Sequence, residues 1–462
     1  VPEFMLRRFG TGAHLVNAVS FAVAQLLIAG INLYLLGSII QALLGLDLFL
    51  AVVIAAVIVL CYITLGGLSA AIYNEVLQFF VIVAALTPLT LLGLDRVGGW
   101  QGVKDGIAET AGQGDVPPAA DQLNSWPGTA LTGFDSELLS VVGIVFGLGF
   151  VLSFGYWTTN FVEVQRAMAT DSISSARKTP IIGAFPKMFV PFITIIPGMI
   201  AAVLVAEIAE VKAGGDVSGG AEGSVTYNDS LIYLMRDVLP NGLLGVAIAG
   251  LLAAFMAGMA ANVSAFNTVF SVALWERYAV KDRSDGYYLR VGRWATVGAT
   301  VVAVFTAQLA ASFSNIMDYL QTLFGFFNAP LFATFILGMF WKRMTATAGW
   351  AGLVSGTLAA VLVGYLAEGT LGSLSIGVLP LSGQGAAFVA AGVAFAVDIV
   401  VSVAVSLVTT PKPAHELVGL VYSETPKEDL IDEAEASYPW YRRTLPLAGI
   451  AAVLTIILNL AF

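Results

Sequence analysis

Residues 243–263 read LLGVAIAGLLAAFMAGMAANV, and no charged side chain falls between Asp237 and Glu276. At about 1.5 Å of rise per residue a helix of this stretch is about 32 Å long, which matches a hydrocarbon core about 30 Å thick. The run is continuous, whereas a membrane barrel strand alternates over about ten residues, so an α-helix is the way this backbone satisfies itself in lipid. Working outward, eleven runs of this kind cover the chain, at 14–43, 47–66, 71–94, 136–160, 178–206, 243–278, 287–312, 315–340, 347–366, 386–409 and 443–461. Of the 462 residues 58% are hydrophobic and 11% charged, against about a quarter charged in soluble domains. The expected fold is an all-α polytopic membrane protein with about eleven spans.

The net charge of −10 hides an asymmetry. Sixteen of the 21 Lys and Arg fall in alternate loops, around Arg7, Arg166, Arg177, Arg277, Lys342 and Arg442, while the opposite loops carry four and Lys187 sits inside a run. Positively charged loops stay in the cytoplasm, so Val1 is expected inside and Phe462 outside, in a plasma or inner membrane. The lone cysteine, Cys61, excludes an intramolecular disulfide. The two histidines, His14 and His415, flank predicted cytoplasmic segments, and no nucleotide loop or HExxH pattern is present. An enzyme, a bound cofactor and a nucleic-acid partner are therefore not expected; the lipid bilayer and a small polar solute are.

Two outer loops, 95–135 and 207–242, interrupt the spans, the second holding an amphipathic stretch from Tyr227 to Val238. A cytoplasmic linker, 411–441, precedes the last run. The first residue is Val rather than Met, and the chain reads as a fragment.

Polar groups inside membrane helices are costly and mark functional candidates. In Gly155-Tyr156-Trp157-Thr158-Thr159-Asn160, glycine and two β-branched residues weaken the helix; a break there frees backbone for a ligand, or the aromatics simply sit at the headgroups. Lys187, about nine residues into its run, either donates to solute hydroxyls or snorkels to the surface. In Asp318-Tyr319-Leu320-Gln321 the two polar residues lie about one turn apart. The Gln321 amide suits a hydroxyl array, while Asn315 or Asp318 equally suits a helix N-cap.

Together these stretches resemble the sodium/solute symporter family, most closely its sodium/sugar cotransporter branch, from Val1 to about residue 410. Val1-Pro2-Glu3-Phe4 with Arg7-Arg8-Phe9-Gly10 is similar to the family's PE(Y/F)L-x-x-RF loop, and Tyr62-Ile63-Thr64-Leu65-Gly66-Gly67-Leu68-Ser69-Ala70 to its YTxxGGLxAV signature. Gln165-Arg166, Lys187 and Pro191 through Pro197-Gly198 follow its QR…K…PF…PG order, and Asp318 to Gln321 with Phe340-Trp341-Lys342-Arg343 its DY(I/L)Q…FWKR stretch. The resemblance implies a LeuT-like core of two inverted repeats, alternating access and Na⁺-driven uptake of a sugar or similar solute. It divides the chain into 1–94, the remainder of the first repeat; the outer loop 95–135; 136–340, the second repeat; and accessory helices over 341–462. It implies a solute pocket containing Tyr156, Trp157, Asn160, Lys187 and Gln321.

The departures concern the cation. The family's loop resembling Val1 to Gly10 follows its second core helix, so three amino-terminal helices are expected to be absent here. The family's hydroxyls in the sixth run are replaced by Ala254, Ala257 and Gly258, and methyl groups cannot coordinate a hard cation that wants oxygen ligands. Glu75 stands where the family has aspartate, either as an ion ligand or as partner of a loop cation. Two functions are thus open: a Na⁺-coupled symporter for a sugar-like solute, or a solute-binding membrane sensor or uncoupled carrier with a degenerate sodium site.

Overall fold

The computed structural model describes residues 1–112, 116, 118–123, 141–215, 217, 224–313, 315–367, 370, 375–379, 381, 383–426, 432, 435 and 437–461, with the side chains of 62, 65–71, 121 and 461 left aside. Most side chains of the 62–70 signature and the end of the loop 95–135 lie outside the described residues. The architecture is a helical bundle. A short helix α1 (Pro2–Phe9) leads into α2 (Thr11–Leu44) and α3 (Leu48–Val97). Two helices, α4 (Gly99–Thr110) and α5 (Ala119–Leu123), cover one end. Then come α6 (Gly143–Thr159) and α7 (Phe161–Met168), bent by 42° at Asn160. Next are α8 (Ile173–Lys187), α9 (Val190–Leu204), α10 (Ala206–Lys212) and α11 (Ser230–Val238). The bundle is completed by α12 (Asn241–Ala279), α13 (Asp285–Ala311), α14 (Ile316–Phe340), α15 (Ala346–Leu366), α16 (Gly383–Val408) and α17 (Thr444–Ala461).

Among the described residues eight helices are long and apolar enough to cross a membrane, the bent pair α6 and α7 makes a ninth, and Leu48–Cys61 and Thr444–Leu460 are shorter apolar stretches. Each of the eleven predicted runs falls on one of these in its described part, residues 136–140 of the fourth lying outside the described residues. Two details differ from the sequence reading. The runs 47–66 and 71–94 share one helical element, α3, because no proline or left-handed residue interrupts the backbone between them. The fourth run does not stop at 160 but bends there and continues to Met168.

Local chemistry sets the ends. Gly45, in the left-handed region at φ 64°, closes α2, and the Asp47 carboxylate accepts from the Phe49 and Leu50 amides to start α3. Asn315, rather than Asp318, caps α14, accepting from the Met317 amide at 3.0 Å. The amphipathic stretch of the second outer loop folds as a short turn, Tyr227–Asp229, followed by α11, which buries Leu234, Met235 and Val238.

α2 runs through the centre, burying Leu33, Tyr34 and Leu36 against α3, α12, α13 and α14. Large apolar side chains such as Phe80, Trp294, Phe305, Leu358 and Val400 face outward, an arrangement that water would penalise and hydrocarbon rewards. Between membrane helices the hydrophobic effect is weak, so close backbone approach at small residues does the packing. Gly30 is the sharpest case: a Cβ there would lie 2.2 Å from Thr306 Oγ1 and 2.7 Å from the Thr306 carbonyl carbon. Thr306 in turn donates to the Leu26 carbonyl at 3.0 Å. Gly30→Ala must push α2 and α13 apart, and a loss of about 1–3 kcal/mol is expected from overpacking. An unfolding midpoint equal to that of the parent protein would contradict this contact.

A polar group that the sequence reading passed over lies in α16. Asp398 is fully buried, accepting from Thr334 Oγ1 at 2.7 Å and Ser402 Oγ at 3.0 Å. It ties α16 to α14 within the apolar layer.

Candidate functional site

The break between α6 and α7 organises the site. Asn160 is extended there (φ −71°, ψ 124°), and its side-chain oxygen accepts from the Val162 amide at 2.9 Å, so the residue that ends one helix caps the next. Across the break Tyr156 Oη donates to Glu163 Oε1 at 3.1 Å, and the Tyr156 ring packs on Phe324 of α14 with centroids 4.9 Å apart. Glu75 of α3 forks onto Arg166 of α7 at 2.5 and 3.0 Å. Arg166 also donates to the Val162 carbonyl.

These groups face a cavity of about 720 Å³ between α2, α3, α7, α12 and α14. Of the candidates from sequence, Tyr156, Asn160, Glu75, Ala257 and Gly258 line it. Trp157 and Lys187 do not; they pair with each other beside it, the ammonium 3.7 Å above the indole ring. Gln321 is half-buried and outside the lining, although its neighbours Leu320 and Phe324 belong to it. Ala254 is also outside.

Three amides in the wall were not singled out from sequence: Asn32, Asn228 and Asn262. Asn32 and Asn262 each stand inside an apolar run, where the cost of burying an amide in lipid is a usable signal, but they share those runs with Asn17, Gln25 and Gln41 and with Asn267; Asn228 sits in an outer loop and gives none. Asn32 explains Gly258. Its Nδ2 donates to the Ile28 carbonyl at 3.0 Å, which turns Oδ1 toward α12, where a Cβ on Gly258 would lie 2.3 Å from it. A hydroxyl-bearing side chain at 258 and this amide cannot occupy the same space. The carbonyl of Gly258 is itself engaged, accepting from Asn262 Nδ2 at 2.8 Å. The oxygen presented at this point of the wall is therefore the Asn32 carboxamide.

The charged groups differ in availability. Glu75 and Arg166 satisfy each other. Glu163 accepts from Tyr156 and has no cation within ion-pair distance among the described residues. Amide donors and acceptors with one carboxylate can read hydroxyl arrays in either hydrogen-bond direction.

Comparison with known proteins supplies a context for this geometry. In sequence the chain matches the sodium:solute symporter family over residues 1–356. It is 28% identical over 361 residues to a sodium/glucose cotransporter of Vibrio parahaemolyticus, covering 77% of this chain and 64% of that protein. It is 28% identical over 457 residues to sodium/glucose cotransporter 4 of Danio rerio, covering 95% and 68%. With sodium/myo-inositol cotransporter 2 of Rattus norvegicus the identity is 27% over 373 residues, covering 78% and 54%. The chain thus spans between about half and two-thirds of the length of these relatives. Its fold is similar to that of a Na⁺-coupled sialic acid symporter solved in a substrate-bound outward-open state, with a TM-score of 0.66 and 18% identity over 89% of this chain and 77% of that one. The architecture is accordingly the LeuT-like one, and these relatives are transporters rather than enzymes. With three-quarters of its length matched, the chain belongs to the sodium:solute symporter family.

Proposed function

We propose that the protein is a Na⁺-coupled symporter that moves a sugar-like polyol by alternating access, with the solute held at the break between α6 and α7. The observation that carries this reading is the cavity of about 720 Å³ walled by Asn32, Asn160, Asn262, Tyr156 and Glu163. Each of these groups already has one partner, and a polyol can meet the hydrogen-bonding capacity that remains, such as Asn32 Oδ1 and the second oxygen of Glu163, which an apolar solute cannot. Glucose and myo-inositol are the first solutes to try, since relatives are named for them. Lys187 and Gln321 enter the pocket in this reading by leaving their present positions, Lys187 by exchanging the Trp157 face for a solute hydroxyl. The cation-rich loops face the cytoplasm, which sets Val1 inside and Phe462 outside a plasma or inner membrane.

The test is uptake of labelled glucose and myo-inositol into liposomes holding the protein, on an inward Na⁺ gradient. Accumulation against the solute gradient that collapses when Na⁺ is equalised is expected; solute binding without accumulation rejects the coupled reading. Tyr156→Phe removes the hydrogen bond to Glu163, a charge-assisted bond of about 1.5–3 kcal/mol, and should weaken solute binding by roughly tenfold or more. Lys187→Ala and Gln321→Ala should abolish uptake while leaving the protein folded, and normal uptake by both removes them from the pocket. The second reading, a solute sensor or uncoupled carrier, rests on Ala254, Ala257 and Gly258, which bring no side-chain oxygen to the wall. It predicts equal binding with and without Na⁺.

A further inference from the structure

We propose that the solute is cationic, a polyol carrying a protonated amine such as an amino sugar, and that Glu163 is the residue that selects its charge. This deepens the polyol reading given above and rests on it for the cavity. Glu75, Glu163 and Arg166 are the charged residues of the lining. Glu75 and Arg166 neutralise each other through their fork, so the wall carries one uncompensated negative charge, on Glu163. Lys187 does not cancel it: its ammonium rests on the Trp157 ring and lies outside ion-pair distance of any carboxylate among the described residues. A cleft lined by one sign of charge between low-dielectric walls concentrates the opposite ion.

The carboxylate is not spent on its own helix. A glutamate three residues after an N-cap commonly reaches back to the N-cap amide. In this protein the Asn160 amide is already taken by the Tyr156 carbonyl at 2.9 Å, and Glu163 is turned to Tyr156 Oη instead. That bond uses Oε1, which leaves Oε2 without a donor among the described residues.

Hydrogen-bond direction agrees with charge. Asn32 Nδ2 and Asn262 Nδ2 are spent on the carbonyls of Ile28 and Gly258. A carbonyl only accepts, so neither amide can be turned over, and each keeps its oxygen as the open group. The Tyr156 hydroxyl hydrogen is spent as well, on Glu163. Glu163 Oε2, Asn32 Oδ1 and Asn262 Oδ1 therefore face the solute as acceptors. An ammonium brings three donors and no acceptor, whereas a hydroxyl brings one donor and leaves the charge unanswered. A bare Na⁺ is the competing occupant for the same charge. At about 720 Å³ the cavity has the size that houses a small organic molecule, while an ion held by protein needs several oxygens close around it, and Ala257 and Gly258 bring no side-chain oxygen to this wall.

The experiment is thermal unfolding of the full protein in lipid nanodiscs in NaCl at about pH 6.5, below the α-amino range of about 7.7–8.0, so that the sugar amine is charged. Glucose, glucosamine and N-acetylglucosamine are titrated separately; at one ring position they carry a hydroxyl, an ammonium and a neutral amide. The parent protein should be half-saturated by glucosamine at a concentration at least tenfold lower than by either neutral sugar. In Glu163→Gln the ratio should fall to near one, whatever the absolute affinities become, and Glu163→Ala, a truncation into open cavity space, gives the same readout should the first variant fail to fold. A parent protein that binds glucose as tightly as glucosamine overturns the proposal and leaves the polyol reading standing, and an amine preference that persists in both variants overturns the role of Glu163. Titration of NaCl against choline chloride covers the competing occupant: no amine preference in the parent, with a Na⁺ response lost in the variants, places Na⁺ on Glu163 and overturns the proposal. If none of the three sugars shifts the midpoint, the polyol reading falls together with it. Glucosamine preferred but not accumulated in the uptake assay rejects the coupled reading and not the selectivity.

Discussion

Arg8→Ala is expected to destabilise the protein by about 2–4 kcal/mol, from two or three orphaned carbonyls at about 1–3 kcal/mol each with partial relaxation. Arg8, seven residues from Val1, is fully buried. Its Nε donates to the Gly338 carbonyl at 3.0 Å and its Nη2 to those of Trp341 and Lys342 at 3.1 and 3.4 Å. These carbonyls belong to the last turn of α14 and the residues after it, where a helix leaves its final acceptors unsatisfied and a cation is favoured. Met5 and Phe9 of α1 pack in the same place against Leu331, Met344, Ala348 and Leu353, so α1 works as a plug whose polar pin is Arg8. Burial draws the guanidinium down to about 10, still charged at neutral pH, so the clamp does not titrate under ordinary conditions. Arg8→Lys should recover little, because an ammonium cannot span three carbonyls with a planar fork. The unfolding midpoint in detergent is the readout, and a midpoint for Arg8→Ala within error of the parent removes the clamp from the account.

Apolar run length is the strongest signal in the sequence, since a bilayer imposes one length on every span, and the described part of each of the eleven runs lies on an apolar helical segment. The helix weakness at Gly155 to Asn160 was legible too, because glycine and β-branched residues lower helix stability wherever they stand. Less legible was which polar side chains share a space. Lys187 and Trp157 were both singled out for burial cost, and the structure brings them together, but onto each other instead of into the cavity wall. Nothing in the sequence separates Asn32 from Asn17, Gln25 and Gln41 of the same run until Gly258, 226 positions later, is seen to leave room for it. Arg8 belongs to a cation-rich loop and to the stretch resembling PE(Y/F)L-x-x-RF, and neither feature tells that its guanidinium is buried while that of Arg7 is exposed. Pairings across hundreds of residues depend on tertiary register, which run lengths and spacings do not contain.

Glu75 and Arg166 offer the second large effect, and with it a decision between two readings of a carboxylate near the end of a span. The side chains are 21% and 23% exposed, too buried to be screened like a surface pair and not so buried that desolvation cancels their attraction. Removing either partner should cost about 1–3 kcal/mol, less than the loss seen for fully buried pairs. In a double-mutant cycle of Glu75→Gln and Arg166→Ala, the combined loss should fall short of the sum of the single losses, since the second change removes a partner that is already idle. Because α3 and α7 meet through this pair at the edge of the proposed solute cavity, the uptake proposed above should fall with stability in each single variant. If Glu75 is instead a cation ligand, the pattern differs in kind. Arg166→Ala would then free the carboxylate and lower the Na⁺ concentration needed for half-maximal uptake, while Glu75→Gln would raise it. The fork of 2.5 and 3.0 Å uses both carboxylate oxygens, so a structural pair predicts that the half-maximal Na⁺ concentration stays where it is in both variants while the maximal rate drops.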